Sequence, residues 1–163
     1  GGTLHLAAEL FKFRSGTEIT HIPYKGGGPA TLGVLTGEVQ MTFGSVTSLM
    51  PHIKTGKVRA IAASSLTRSS VLPDVPTLSE SGLNGFNVTS WYALLVPKNT
   101  PDSIVAKLEK AAHEVIESAD VKESMAKQGL DITISTPAEL EELIKNETAM
   151  WRELNKKLKI TSN

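Results

Sequence analysis

The chain contains no cysteine, which excludes a disulfide framework, a zinc–thiolate centre and a thiol nucleophile while leaving the compartment open. It carries no net charge either: 17 Lys and Arg offset 17 Asp and Glu. No global field therefore draws it to nucleic acid or to an anionic membrane, and a phosphate-backbone partner is not expected. No apolar run approaches the roughly 20 residues that span a bilayer, so a membrane-embedded chain is not expected. Also missing are an internal repeat, a low-complexity segment, a GxSxG elbow and an HExxH or comparable metal-ligand spacing. The sequence opens on Gly1-Gly2-Thr3 with neither an initiator methionine nor a charged-then-apolar leader. The expectation is that a segment has been removed or that the chain is a fragment.

What is present suffices for a packed core, with 40% of the 163 residues hydrophobic. Leu6, Leu10 and Phe13 recur at helical spacing, with Thr3 expected as N-cap and Gly16 as stop. "EITHIPY" follows as a β-prone run that ends at Pro23. A glycine triplet leads into a helix expected to have Pro29 at its first position and Gly37 just past its last. "VQMTF" alternates like a strand, and "VTSLMPHIKTG" predicts a helix ending at Gly56 that Pro51 either kinks or delays. "VRAIAAS" predicts a buried strand. Strand and helix alternate here as in an α/β layer with a mainly parallel sheet.

From Leu66 to Phe86 the composition turns to Ser, Pro, Asp, Asn and Gly, as in a connection between two units. Thr77 and Glu80 form a capping box over one helical turn closed by Gly82. "NVTSWYALLVP" is β-prone. Three helices are then predicted: one opened by Thr100-Pro101, one capped by Asp120 with Glu123 and stopped at Gly129, and one begun by the Thr136–Glu139 box. The first carries Ile104, Leu108, Ala112 and Val115 on one face. The last carries Leu140, Ile144, Glu147, Trp151, Leu154 and Leu158, where Glu147 breaks an otherwise apolar stripe.

Three glycine-containing loops precede helices: Gly1-Gly2-Thr3, Lys25 to Gly28, and Gly44-Ser45. Such loops aim backbone N–H groups and a positive helix end at one place, which suits a carboxylate or phosphate. Taken alone, each is more often just a tight turn or a cap; three at strand-to-helix junctions of one layer are more suggestive of a ligand site. The second is not a nucleotide P-loop, because Lys25 precedes the glycines instead of following them, nor is it GxGxxG. Open α/β sheets bind ligands outside the carboxyl ends of their strands, where all three loops are expected to lie. His5, His21, His52 and His113 make no catalytic set, and Trp91, Tyr92 and Trp151 are expected in a core or a domain contact.

In order and spacing, "GTLHLAAELF", "HIPYKGGGPATLGVLTGEVQMTF", "MPHIKTGKVRAIA", "LPDVPTLSESG", "SWYALLVP" and "TPDSIVAKL" resemble the Bug/TctC family, the extracytoplasmic solute-binding receptors of tripartite tricarboxylate transporters. The resemblance covers nearly the whole chain. It implies a type 2 periplasmic-binding-protein-like α/β fold present as one complete lobe, residues 1–65. Residues 66–163 would be a hinge-crossing segment and C-terminal helices that pack on a first lobe whose remainder is missing. It further implies a small carboxylate ligand, a membrane permease as partner, a periplasmic location, no cofactor, no metal and no catalysis. The family holds its ligand largely through backbone N–H groups at helix N-termini. Carried over, that implicates Gly2, Thr3 and His5, then Gly26, Gly27, Gly28 and Ala30, then Gly44 and Ser45. Gly44-Ser45 stands where the family commonly has Asp-Asn, which argues against an amino-acid ligand.

Two other readings share these features. The same lobe architecture serves as the effector-sensing domain of some transcription regulators, which would require a helix-turn-helix elsewhere in the gene. A transferase using the glycine loop for a phosphorylated substrate is the enzyme alternative, against which the absent nucleophile and base argue.

Overall fold

The structure, a computed structural model, describes residues 2–158. Gly1 and the side chain of Leu158, both part of the expectations above, lie outside the described residues. Six helices follow in order: α1 Thr3–Ser15, α2 Gly27–Thr36, α3 Val46–Lys54, α4 Asp102–Glu117, α5 Ala119–Lys127 and α6 Pro137–Leu158.

The helix stops match the glycines. Gly16 and Gly37 adopt the left-handed conformation, with φ of 67° and 77°, and close α1 and α2. Three starts and one end differ. Gly2 and not Thr3 is the N-cap of α1, and Thr3 is already helical. α2 begins at Gly27, so Pro29 is its third residue; a proline is tolerated there because the first turn has no i−4 carbonyl to bond. α3 runs through Pro51 and ends at Lys54, two residues short of Gly56. Ser118, not Asp120, precedes α5, and no side chain caps that helix; the neighbouring Ser118 hydroxyl, then the first-turn backbone, lower the Asp120 pKa. The boxes at Thr77–Glu80 and Thr136–Glu139 form as expected, with reciprocal bonds of 2.7 and 3.0 Å in the first and 2.8 and 3.3 Å in the second.

The expected strands are the larger correction. No strand ladder occurs among the described residues; one parallel bridge joins Ala63 and Thr77. Around it Ala63 donates to the Pro76 carbonyl at 2.9 Å, Leu78 donates to Ala63 at 2.8 Å, and Val88 donates to Ser64 at 2.8 Å. Segments 63–64, 76–78 and 88 thus converge at the point where a sheet would start. The run predicted as a buried strand leaves Ile61 71% exposed. Alternation marks which face of a segment is apolar, whereas a ladder requires a partner, and local sequence does not name one.

The core sits between α1 and the 86–88 segment. Ala7, Leu10, Phe86 and Val88 are buried, and Phe11, Phe43, Leu83, Trp151 and Leu154 pack around them. α6 lies against α1, and α2 against α3. Arg14 donates to the Asn84 carbonyl at 2.6 Å, pinning the end of α1 to the turn before Phe86. The C-terminal end of α5 meets the first turn of α3, where Thr47 Oγ1 donates to the Gln128 carbonyl at 2.8 Å. Trp151 joins the core as expected, but Tyr92 is 90% exposed. No helix among the described residues is long and apolar enough to cross a membrane.

Candidate functional site

Each of the three glycine loops ends at the N-terminus of a helix. At α1, Gly2 accepts from the His5 and Leu6 N–H groups at 2.9 and 3.1 Å, and no side chain caps the helix. The N–H groups of Thr3 and Leu4 precede those bonds and point out of the helix end. At α2, Gly26 takes φ of 109°, a conformation a side chain would strain, and its carbonyl accepts from Ala30 N–H at 3.3 Å. Gly27 and Gly28 lie ahead of that bond, both exposed, with open space where a Cβ would stand. At α3, Ser45 is the N-cap, and its Oγ accepts from the Ser48 N–H at 3.3 Å. The Ser45 hydroxyl therefore serves its own helix first.

The electrostatics of the helix starts divide the chain in two. α1, α2 and α3 carry no acidic side chain in their first turns. α4, α5 and α6 begin with Asp102, Asp120 and Glu139 respectively. An acidic first turn neutralises the positive end of the helix dipole, so only the first three helices present that end unscreened.

Tyr24, just before the glycine triplet, folds back over α2. A Cβ on Gly33 would collide with the Tyr24 hydroxyl oxygen, so Gly33 is required for this approach and the ring anchors the loop to the helix it precedes. His5 does not stand alone beside the first loop: its ring stacks on His21 with centroids 4.2 Å apart, and its Nε2 lies 3.8 Å from Glu9 Oε1. Burial, then the neighbouring His21, lowers its pKa.

Thr3 lines a cavity of about 210 Å³ with residues 87–91, Glu147, Met150 and Trp151. In it the Trp91 indole N–H donates to Glu147 Oε2 at 3.0 Å, which accounts for the acidic break in the α6 stripe. A second cavity, of about 430 Å³, lies at the C-terminal end of α5 and is lined by Lys122, Leu130 and Asp131 among others. Neither cavity includes Gly26, Gly27, Gly28, Gly44 or Ser45. The structure thus places Gly2, Thr3, His5, Gly26 to Gly28, Ala30, Gly44 and Ser45 at three helix starts, and two of those helices, α2 and α3, pack on each other. Two groupings escaped the sequence: Trp91 with Glu147, and His5 with Glu9 and His21. For the first, the lone acid in an apolar stripe was the available signal.

Comparison with known proteins gives a consistent result. The family model described as "Tripartite tricarboxylate transporter family receptor", TctC, matches residues 1–160. Protein BugT of Bordetella pertussis is 37% identical over 163 residues, which are 98% of this chain and 50% of BugT. The R. palustris structure of Rpa4515 with adipate superposes with a TM-score of 0.87 at 29% identity, covering 99% of this chain and 54% of that one. MatC from Rhodopseudomonas palustris with bound malate superposes with a TM-score of 0.75 at 30% identity, covering 92% and 52%. This chain spans about half the length of these relatives. Its fold is that of the periplasmic solute-binding proteins it superposes on, although its sheet hydrogen bonds are reduced to one bridge among the described residues. Matched over nearly its whole length, the chain belongs to the TctC family of tripartite tricarboxylate transporter family receptors.

Proposed function

We propose that the protein acts as a solute-binding receptor that captures a small carboxylate in the periplasm and presents it to the membrane permease of a tripartite tricarboxylate-type transporter. The observation that carries this is the division of helix starts. Three glycine-preceded N-termini lack any acidic residue in the first turn, while the other three helices each have one. Unscreened N-termini with outward N–H groups suit an anion. Adipate and malate, found on two structural relatives, are dicarboxylates. Two carboxylates match two separate helix ends.

In this reading the donors are the backbone N–H groups around Gly2 and Thr3, Gly26 to Gly28, and Gly44 and Ser45. His5 flanks the first loop, and Ala30 closes the α2 turn. Residues 1–65 form the second lobe, and 66–163 the segment that returns toward the first. Capture of an unreactive ligand needs donors and shape but no tuned acid, base or nucleophile, so no catalysis is assigned.

Calorimetric titration with malate and adipate tests the reading, comparing the wild-type chain with Gly27→Asp. An aspartate in the first turn of α2 favours the helix while setting a negative charge against the ligand, so folding and binding separate. Expected are an unchanged circular dichroism spectrum and an affinity reduced at least about tenfold, since one such charge interaction reaches the order of 1.4 kcal/mol. Equal binding by wild type and variant would remove the α2 loop from the site.

A further inference from the structure

We propose that His5, Glu9 and His21 form a binding site for a divalent transition-metal ion of the Zn²⁺ type. His5 and Glu9 are four residues apart on α1 and share one face, and His21 reaches them from the segment after the helix. One ligand atom from each of the three lies within 4.8 Å of the others. The set is two imidazoles and one carboxylate, a donor combination that suits Zn²⁺, Co²⁺ or Ni²⁺ and leaves a fourth position for water.

Two side chains are already placed for it. His5 and Glu9 are both 17% exposed at their side chains, with Nε2 and Oε1 facing each other at 3.8 Å. Donors at about 2.0–2.2 Å from one ion stand roughly 3.3–3.5 Å apart when tetrahedral, so this pair needs to close by only about half an ångström. His21 must tilt, because imidazole lone pairs lie in the ring plane and rings stacked at an interplanar angle of 21° keep theirs in offset, nearly parallel planes that do not meet at one ion. It is exposed, so the rotation displaces no core packing. The competitor is Lys12, whose Nζ binds Glu9 Oε1 and Oε2 at 2.9 and 3.1 Å. A cation at Glu9 has to displace it. The proposal does not rest on carboxylate capture, since the ion would bind with no solute present.

The test is titration of the untagged 163-residue chain with Co²⁺, read by visible absorption, and with Zn²⁺ in competition, both without carboxylates. Expected are one ion per chain, a d–d band of low-symmetry four-coordinate Co²⁺, and an affinity reduced about tenfold or more in both His21→Ala and Glu9→Gln. Lys12→Met should raise the affinity by freeing Glu9. His21 and Lys12 lie outside the buried core, so these two variants stay folded and keep the test decisive. Absence of a bound ion, binding that either His21→Ala or Glu9→Gln leaves unchanged, or no gain in Lys12→Met would each overturn the three-ligand site.

Discussion

Glu80 shows how much one exposed side chain organises in the 66–86 connection. Its carboxylate accepts from the Thr77 N–H at 2.7 Å and from Arg68 Nε at 3.0 and 3.1 Å, while Arg68 also donates to the Pro73 carbonyl. The Thr77 backbone bond, followed by Arg68, lowers the Glu80 pKa below its ordinary value of 4.5. A carboxyl depressed on folding contributes stability above its unfolded pKa and loses it as pH falls through the folded one. The wild type should therefore lose stability in the window below pH 4.5. Glu80→Gln should show a shallower acid branch and lower stability at neutral pH, as read by thermal melts across pH. Glu139 and Asp120 are depressed in the same direction, so some acid sensitivity persists in the variant. An identical acid branch in wild type and Glu80→Gln would show that the Arg68–Glu80–Thr77 cluster is not maintained in solution. This cluster was half legible in the sequence. The capping box is local and visible three residues apart, but Arg68 is twelve residues from Glu80 and nothing in the local pattern selects it.

At the scale of elements, helix positions were legible and their partners were not. Glycine stops, capping boxes and apolar periodicity all act within one or two turns, and the six helices appear where those signals lie. Which stripes find cover is a non-local matter. α6 lays Trp151 and Leu154 onto the α1 core, whereas α4 leaves Ile104, Leu108 and Val115 between 40 and 60% exposed. The two amphipathic helices should respond oppositely to truncation. Trp151→Ala removes a large ring partly buried against the Ala7, Leu10, Phe86 and Val88 core, at a cost of about 2–4 kcal/mol, below the full range because the ring is not fully enclosed. Hydrogen exchange should then quicken in α6 and α1 first. Leu108→Gln should change stability by less than about 0.5 kcal/mol. Urea titration of the two variants checks the contrast, and comparable losses would mean that α4 is covered in solution by something the monomer does not supply. The candidate site follows the same rule: its three helix starts were visible as glycines before helices, while the absence of first-turn acids gains meaning only beside the helices that have them.

The whole molecule exposes more surface than a compact protein of its mass. Its accessible area is 11579 Å², against about 7,900 Å² for a folded monomer of 17.4 kDa. The difference is roughly 3,700 Å², well above the approximately 800 Å² that one partner contributes to a standard interface. Exposed large apolar side chains cluster in sequence, with Tyr92, Leu94 and Leu95 at 90, 67 and 71% exposure in a run that also has no strand partner among the described residues. Each such side chain gains about 1.5–3 kcal/mol on full burial, and unpaired backbone beside apolar residues is a template for pairing with another chain. In the roughly twice-longer relatives there is additional protein to cover such a face. For the 163-residue chain alone, the expected outcome is concentration-dependent self-association through residues 92–96. Sedimentation equilibrium from about 1 to 100 μM should show a rising weight-average mass. The Leu94→Asp, Leu95→Asp double variant should shift the curve toward monomer, because two buried carboxylates per copy oppose the contact. Helicity by circular dichroism should be unaffected, since neither residue lies in a helix. A strictly monomeric wild type with a radius of gyration near 15 Å, the value for a compact chain of this length, would mean that 92–96 packs back onto its own chain in solution.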